Sequence, residues 1–281
     1  MQLKQYKVYF SDKLSSIYPK TEIDTFFSYL IEEYLGLQRI DMIMKPDFEI
    51  STEKEKALNI ALERLGKEEP IQYIIEKTEF YGLPFNVNRH TLIPRPETEE
   101  LVEWVLNTTE KEKKLNFIDI GTGSGCIPIS LKKNLPSANV SAIDISDDAL
   151  KIAKQNAQLN NVIINFIRRD ILETEELPQL YDVIVSNPPY VRNLEKVEIK
   201  NNVLENEPHL ALFVDDNNPL IFYSKIADLA KDHLTKNGIL FFEINQYLGK
   251  ETMDMLKEKG FINIELRKDF LTNDRMIKAS L

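Results

Sequence analysis

The stretch Val183-Ile184-Val185-Ser186-Asn187-Pro188-Pro189-Tyr190 combines a β-strand signal with an abrupt stop. Its run of β-branched apolar residues is typical of a strand that is buried on both faces of a parallel sheet. The two prolines cannot donate to a sheet ladder, so the strand must end before them. Ligands of open α/β sheets bind at the carboxyl ends of the strands. We therefore expect Asn187 to leave the sheet on a rigid turn, with its amide directed into a crevice.

This turn offers two hydrogen-bond acceptors on a stiff backbone, the side-chain oxygen of Asn187 and the carbonyl oxygen of Pro188. Two such acceptors can hold both protons of a planar NH2 group, and Tyr190, positioned by Pro189, can stack on its plane. The pattern favours a site for an amino or amide nitrogen that acts as a nucleophile. The alternative interpretation is a strand terminator followed by a core tyrosine.

From about residue 115 onward the sequence alternates strand and helix patterns, which predicts a doubly wound parallel sheet. The predicted strands cover residues 117–120, 140–144, 162–167, 182–186 and 238–243, followed in the tail by 261–266 and 275–280. The predicted helices cover residues 147–159, 219–234 and 246–259. The last strand follows another strand without a helix between them, so we expect it to enter the sheet antiparallel.

A glycine-rich loop connects the first of these strands to the helix that follows it. The loop consists of Gly121, Thr122, Gly123, Ser124 and Gly125. A strand before it and a helix after it are the context that a nucleotide-binding loop requires. Loops that bind a pyrophosphate carry a further glycine at the sixth position, where this chain has Cys126. The loop therefore favours a nucleoside cofactor that lacks a pyrophosphate.

Acidic residues at the ends of the predicted strands suit a cofactor with positive charge. Asp144 ends the second strand about 20 residues after the loop, where a carboxylate binds ribose hydroxyls. Asp119 precedes the loop and could meet an ammonium group. Asp170 and Ile171 follow the third strand, where they could contact an adenine, although Asp170 could instead cap a turn. S-adenosylmethionine carries an ammonium and a sulfonium and fits these carboxylates better than a phosphate-rich ligand does.

The chain divides into three predicted parts. Residues 1–70 predict a small helical domain, in which Gly36 ends one helix and Thr52 with Glu55 opens another as a capping box. This domain serves either as a packing lid or in recognition of a partner. Residues 71–95 predict a β-hairpin linker, and residues 96–281 form the α/β domain.

Composition narrows the range of partners. The net charge is −10, which argues for a protein or small-molecule partner and against direct contact with nucleic acid. The single cysteine, Cys126, rules out an intrachain disulfide and suggests a reducing compartment. The chain has neither a signal-peptide pattern nor an apolar run long enough for a membrane span. We expect a cytoplasmic monomer. We also expect no metal site, because the three histidines are not spaced as ligands.

Three motifs resemble one family of enzymes. Asn-Pro-Pro-Tyr after a hydrophobic strand is similar to the signature of S-adenosylmethionine-dependent methyltransferases that modify nitrogen on a planar group. Pro70-Ile-Gln-Tyr-Ile and Ile93-Pro-Arg-Pro-Glu-Thr-Glu resemble linker motifs of the HemK/PrmC family, the glutamine N5-methyltransferases of peptide chain release factors. This chain departs from the family at Asn245, where a glycine is usual, which puts a supporting role of Glu243 and Gln246 in question.

The resemblance implies a Rossmann-like methyltransferase domain with a seven-stranded, mostly parallel sheet. It also implies methyl transfer from S-adenosylmethionine to the glutamine of the Gly-Gly-Gln loop in release factors. Asn187 and Pro188 would hold the amide nitrogen, Tyr190 would pack against its plane, and no side-chain base would be needed. A DNA or RNA base methyltransferase is the first alternative, since a flipped base also presents an amine. A non-catalytic nucleotide-binding module is the second.

Overall fold

The computed structural model describes residues 1–110 and 112–281 and divides them into two compact units. The first unit contains Met1–Glu76 together with Asn201–Asn206. The second contains Lys77–Lys200 and Glu207–Leu281. Helices and strands are numbered below in chain order.

The first unit is helical. Its helices are α1 (Leu3–Leu14), α2 (Lys20–Leu35), α3 (Asp41–Met44), α4 (Thr52–Leu65), α5 (Ile71–Ile75) and the short α9 (Asn201–Leu204). The apolar faces of α1, α2, α4 and α5 enclose a core that contains Tyr6, Phe27 and Leu58, all fully buried. Residues 71–75 therefore continue the helical unit, and the hairpin begins only after them.

The ends of two helices in this unit test the predicted capping signals. Gly36 ends α2 with φ of 67°, so its prediction as a C-cap is confirmed. The predicted capping box at Thr52 is wrong, because Thr52 is already the first helical residue. Ser51 has the extended backbone of an N-cap, and its hydroxyl accepts a hydrogen bond from the Lys54 amide at 3.3 Å.

The second unit contains the large sheet. Its strands are β1 (Lys77–Phe80), β2 (Leu83–Asn86), β3 (Asn116–Ile120), β4 (Asn139–Asp144), β5 (Asn165–Arg168), β6 (Tyr181–Ser186), β7 (Val191–Arg192), β8 (Phe213–Val214), β9 (Leu234–Glu243), β10 (Ile262–Lys268) and β11 (Asp274–Ser280). Its helices are α6 (Pro96–Thr108), α7 (Cys126–Asn134), α8 (Asp147–Leu159), α10 (His209–Leu212), α11 (Ile221–His233) and α12 (Gly249–Glu258), with a 3-10 helix at Asn193–Glu198.

Seven strands form one sheet in the order β10-β11-β9-β6-β3-β4-β5. Strands β5, β4, β3, β6 and β9 pair in parallel, and β11 pairs antiparallel to both β9 and β10. The strands β1 and β2 form a separate antiparallel hairpin. The predicted α/β fold, with a mostly parallel sheet and an antiparallel last strand, is confirmed.

Strand β6 lies in the middle of the sheet and is buried on both faces, as the sequence predicts. Val183 and Val185 pack with α6, α7 and α8 on one face, whereas Ile184 packs with α11 and α12 on the other. All three side chains are at most 1% exposed. This burial fixes the position of the strand, and Asn187 follows directly at its carboxyl end.

The predicted third strand begins too early. Residues 162–164 lie outside β5, and the Val162 amide donates to the carbonyl of Ala157 at 3.0 Å, which closes the end of α8. Asn161 takes the left-handed backbone conformation, with φ of 55°, that this closure needs. Within the described residues, no helix is long and apolar enough to cross a membrane.

Candidate active site

A cavity of about 290 Å³ opens at the carboxyl ends of β3, β4, β5 and β6. The glycine loop, the end of β4 and the turn after β6 all contribute to its wall. The predicted site residues that line it are Gly121, Thr122, Gly123, Ser124, Asp144, Asp170, Ile171, Asn187, Pro188 and Pro189. Three predicted residues, Asp119, Gly125 and Tyr190, are not in its wall.

The glycine loop is held against the neighbouring strand by its backbone. The amides of Gly121 and Thr122 both donate to the carbonyl of Ile143, at 2.9 and 3.0 Å. A Cβ atom at Gly121 would lie 3.9 Å from the backbone oxygen of Asn187, so the loop and the Asn-Pro-Pro-Tyr turn are neighbours. This places the predicted cofactor loop beside the predicted substrate turn.

Gly125 serves the packing of two helices. It takes a left-handed conformation with φ of 81° at the start of α7. A Cβ atom there would lie 3.0 Å from Ile129 Cδ1 and 3.1 Å from Ala153 Cβ. Glycine is therefore needed at this position both for its backbone angle and for the close approach of α8.

Asp144 contacts the loop directly. Its Oδ2 accepts a hydrogen bond from the Gly123 amide at 2.8 Å, and its Oδ1 accepts one from the Ser146 amide at 2.9 Å. Burial raises the pKa of Asp144 and these two bonds oppose that rise. Each carboxylate oxygen keeps a lone pair for a further donor, which suits ribose hydroxyl groups.

Asp119 is a buried carboxyl group beneath the loop. It is 1% exposed, and neither oxygen has a donor in full hydrogen-bonding geometry among the described residues. Burial raises its pKa to about 7, the Thr122 hydroxyl offsets a part of this rise, and the charge of Asp144 adds to it. An unpaired buried carboxylate of this kind favours a cation nearby.

Asp170 and Ile171 lie together in the cavity wall. The Oδ1 atom of Asp170 accepts a hydrogen bond from the Leu172 amide at 2.9 Å, which is the turn-capping role that the sequence left open. The other oxygen has no such bond among the described residues. Ile171 is 9% exposed and packs with the core beneath the cavity. Together they present one acceptor and one apolar surface.

The amide of Asn187 is tied to a residue that the sequence did not single out. Asn187 Nδ2 donates to Thr98 Oγ1 at 3.2 Å, and the Thr98 hydroxyl donates to Glu243 Oε2 at 2.6 Å. Thr98 lies in the first turn of α6, and Glu243 ends β9. The residues are far apart in sequence, so no local pattern signals these contacts.

Tyr190 is held by its hydroxyl and by its backbone. Its hydroxyl donates to Glu243 Oε1 at 3.0 Å, and its carbonyl accepts from Asn245 Nδ2 at 2.9 Å. The ring packs against the core on the α11 face of the sheet. Burial raises the pKa of the hydroxyl, and the negative charge of Glu243 raises it further.

Asn245, which replaces a glycine of the family pattern, fastens the segment after the turn. Besides Tyr190 it donates to Glu195 Oε2 at 2.8 Å, and its Oδ1 accepts from the Tyr247 amide at 2.9 Å. Asn245 is 4% exposed. A glycine here could make none of these side-chain bonds.

The motif before α6, which includes Ile93 and Arg95, is also held by a side chain that is distant in sequence. Glu207 accepts hydrogen bonds from Arg95 Nη2 at 2.5 Å and from the Ile93 amide at 3.2 Å. Its side chain is 1% exposed, so the ion pair is shielded from solvent on the glutamate side. Arg95 also lines the cavity.

The described residues contain no group of three or more histidine, cysteine, aspartate or glutamate side chains that could hold a metal ion. Cys126 is buried at the start of α7, and burial raises the pKa of its thiol to about 12. A thiol that stays protonated is a poor nucleophile.

Solved structures of methyltransferases share this fold. The structure of the hMettl16 catalytic domain in complex with MAT2A 3'UTR hairpin 6 aligns with 71% of this chain and 76% of its own, with a TM-score of 0.56 at 19% identity. A methyltransferase from Pyrococcus furiosus aligns with 82% of this chain and 98% of its own, with a TM-score of 0.51 at 15% identity. At these identities the likeness concerns the fold alone.

Sequence relatives are much closer. Residues 8–75 match the family model of the PrmC N-terminal domain, and residues 99–212 match the methyltransferase small domain. The release factor glutamine methyltransferase of Flavobacterium psychrophilum is 54% identical over 100% of this chain and 99% of its own length. That of Bacteroides thetaiotaomicron is 42% identical over 97% and 98%. The chain belongs to the family of release factor glutamine methyltransferases.

Proposed function

We propose that this protein transfers a methyl group from S-adenosylmethionine to the side-chain amide nitrogen of the glutamine in the Gly-Gly-Gln loop of peptide chain release factors. The observation that carries the proposal is the position of Asn187. Its side-chain amide donates to Thr98, and its backbone oxygen lies next to the glycine loop. The names and full-length identity of the sequence relatives support the same activity.

The cavity fits the cofactor. S-adenosylmethionine supplies an activated methyl group on a sulfonium when it is bound. Asp144 would accept from the ribose hydroxyls, and the loop residues Gly121, Thr122, Gly123 and Ser124 would border the cofactor. Ile171 and Asp170 would contact the adenine. The unpaired carboxylate of Asp119 would favour the positive charge from beneath the loop.

The substrate amide would be held by acceptors on the turn. Asn187 Oδ1 and the Pro188 carbonyl would each accept one N–H of the glutamine amide, which fixes the nitrogen toward the cofactor. As the nitrogen becomes positive in the transition state, these partial negative charges bind it more strongly than in the ground state. Pro189 stiffens the turn.

Tyr190 would support this turn from the side. Its hydroxyl is bound to Glu243, and the flat face of its ring would lie beside the substrate plane. The methylated nitrogen is acidic enough to lose its proton to water. The protein therefore needs positioning more than a base, and positioning alone supplies much of the rate acceleration.

The remaining proposals concern the partner. The helical domain, which extends to residue 75, and the hairpin segment that follows it to residue 95 would recognise the release factor, and residues 96–281 would carry the transfer. The net charge of −10 argues against direct binding of nucleic acid. We propose a monomer that acts in the cytoplasm, where release factors work.

The test is transfer of labelled methyl from S-adenosylmethionine to a purified release factor. The control substrate is the same factor with asparagine in place of the loop glutamine, and DNA and RNA are offered in parallel. We expect label on the glutamine factor only. Label on the asparagine variant at an equal rate, or on nucleic acid alone, would refute the proposal.

A further inference from the structure

A chain of hydrogen bonds runs from the Asn187 amide into the core of the α/β unit. It passes from Asn187 Nδ2 to Thr98 Oγ1 over 3.2 Å, and from there to Glu243 Oε2 over 2.6 Å. Thr98 and Glu243 are each 2% exposed, so the bond between them is shielded from water. Neither residue supplies an atom to the proposed grip on the substrate amide.

The single hydrogen of the Thr98 hydroxyl sets the direction of this chain. An ionised Glu243 can only accept, so that hydrogen is donated to Oε2. The Thr98 oxygen is then left as an acceptor, and the group of Asn187 that faces it must be the NH2. The side-chain oxygen of Asn187 is therefore turned away from Thr98, and no described residue donates a hydrogen bond to it.

We propose that Thr98 and Glu243 are positioning residues that fix which end of the Asn187 amide meets the substrate. This inference rests on the proposed function, because the orientation matters only for a substrate that brings an NH2 group. With the amide reversed, Asn187 would present its own NH2 to that of the substrate, and two donors cannot bind each other. Through the Thr98 hydroxyl, the negative charge of Glu243 thus determines that the side-chain oxygen of Asn187, and not its NH2 group, faces the substrate.

Glu243 lies among several polar groups that influence its charge. These groups are Thr98 and Glu97 on α6, Tyr190 after β6, Tyr223 on α11 and Arg275 on β11. Burial raises the pKa of Glu243, whereas the bonds from Thr98 and Tyr190 and the charge of Arg275 oppose the rise. A protonated Glu243 could donate to Thr98 and reverse the chain. Turnover should therefore decline as the pH falls through the Glu243 pKa.

The experiment compares Thr98→Val, which removes the hydroxyl at constant shape, with Thr98→Ser, which keeps it. Thr108→Val is the matched control, because Thr108 lies on the same helix and, within the described part of the chain, its hydroxyl bonds only the Trp104 carbonyl. Each purified full-length protein is assayed for kcat and KM with a release factor at saturating S-adenosylmethionine. Melting temperature and binding of S-adenosylhomocysteine are measured in parallel.

For Thr98→Val we expect kcat to fall about tenfold, since one orienting hydrogen bond is lost, with S-adenosylhomocysteine affinity changed by less than about threefold. Thr98→Ser should restore most of the turnover, and Thr108→Val should match the wild type. A wild type that transfers methyl while Thr98→Val keeps the full kcat would overturn this inference alone. A wild type without transfer would overturn the proposed function as well.

If Thr98→Val does not fold, the inference is tested by the pH dependence of kcat in the wild-type protein. At saturating S-adenosylmethionine, kcat should decline with falling pH at values above the usual glutamate range of about 4.3. A kcat that stays constant down to that range would overturn the inference.

Discussion

Replacing Asp119 by asparagine should make the protein more stable at neutral pH and less able to bind its cofactor. In the wild type the folded protein must ionise a carboxyl group that is 1% exposed and lacks a donor in full hydrogen-bonding geometry among the described residues. Asparagine removes this charge at nearly constant shape. Stability and binding should therefore change in opposite directions, which a general loss of structure cannot produce.

The magnitude follows from the pKa. The pKa of Asp119 rises from 3.8 to about 7 on folding, and this interval corresponds to roughly 4 kcal/mol. A group with a raised pKa contributes stability that is fully present below its unfolded value and is lost as the pH rises through its folded value. The advantage of Asp119→Asn should therefore be larger at pH 8 than at pH 4 by up to about 4 kcal/mol, or on the order of 10 °C in melting temperature.

The assay is thermal unfolding of both proteins without cofactor, from pH 4 to pH 8. Any effect of the new amide that does not depend on pH is the same at pH 4 and at pH 8. It therefore cancels when the stability differences at the two pH values are compared. Calorimetry with S-adenosylhomocysteine at pH 8 should show at least about tenfold weaker binding by the variant, because a charged hydrogen bond is lost. A stability difference that does not depend on pH, or unchanged binding, would refute the account of Asp119.

Three further substitutions test other contacts. Asn187→Ala should lower methyl transfer by about 100-fold or more, as loss of one transition-state contact does elsewhere, while calorimetry shows S-adenosylhomocysteine still bound; undiminished transfer would contradict the assignment. Gly125→Ala should lower the free energy of unfolding by about 2 kcal/mol or more, because residue 125 has a left-handed backbone and the new methyl group would crowd Ile129 and Ala153. Equal denaturation midpoints of variant and wild type would count against this account of Gly125. Asn245→Gly should destabilise the protein by about 1–3 kcal/mol in urea unfolding and reduce kcat; a variant equal to the wild type would show that the segment after Tyr190 holds without this residue.

The fold and the cavity could be predicted because their signals are local. The apolar run of β6 and its prolines are adjacent in sequence, and so are the strand, glycine loop and helix around Gly123. Strand order then brings the ends of β3, β4, β5 and β6 to one edge of the sheet without further information. The family prediction is confirmed by relatives of full length.

The support behind Asn187 could not be predicted, because it depends on pairing across the fold. Thr98 and Glu243 are 145 positions apart, and nothing in either local sequence indicates the other. Thr98 stands within an acidic run whose charges suffice to explain a helix start. The role of Glu243 was in question because Asn245 breaks the family pattern. In the structure, Thr98 binds the side chain of Asn187 and Glu243 binds the hydroxyl of Tyr190, so both Thr98 and Glu243 contact the turn.

The stacking of Tyr190 on a substrate stays a prediction for a related reason. The sequence shows an aromatic residue after two prolines, but the direction of its ring is set by partners elsewhere in the fold. The structure binds its hydroxyl to Glu243 and packs the ring on the core. Side-chain direction at the end of a turn depends on such distant contacts and not on the turn itself.

The claim at the centre of this account is that the turn presents two acceptors to an NH2 group. It is tested most directly by the affinity of the protein, saturated with S-adenosylhomocysteine, for two release factors that differ only in the loop residue. Glutamate has the shape of glutamine but no N–H, and its charge would face the oxygens of Asn187 and Pro188. We predict that the glutamine factor binds at least about tenfold more tightly. Equal or tighter binding of the glutamate factor would contradict the claim.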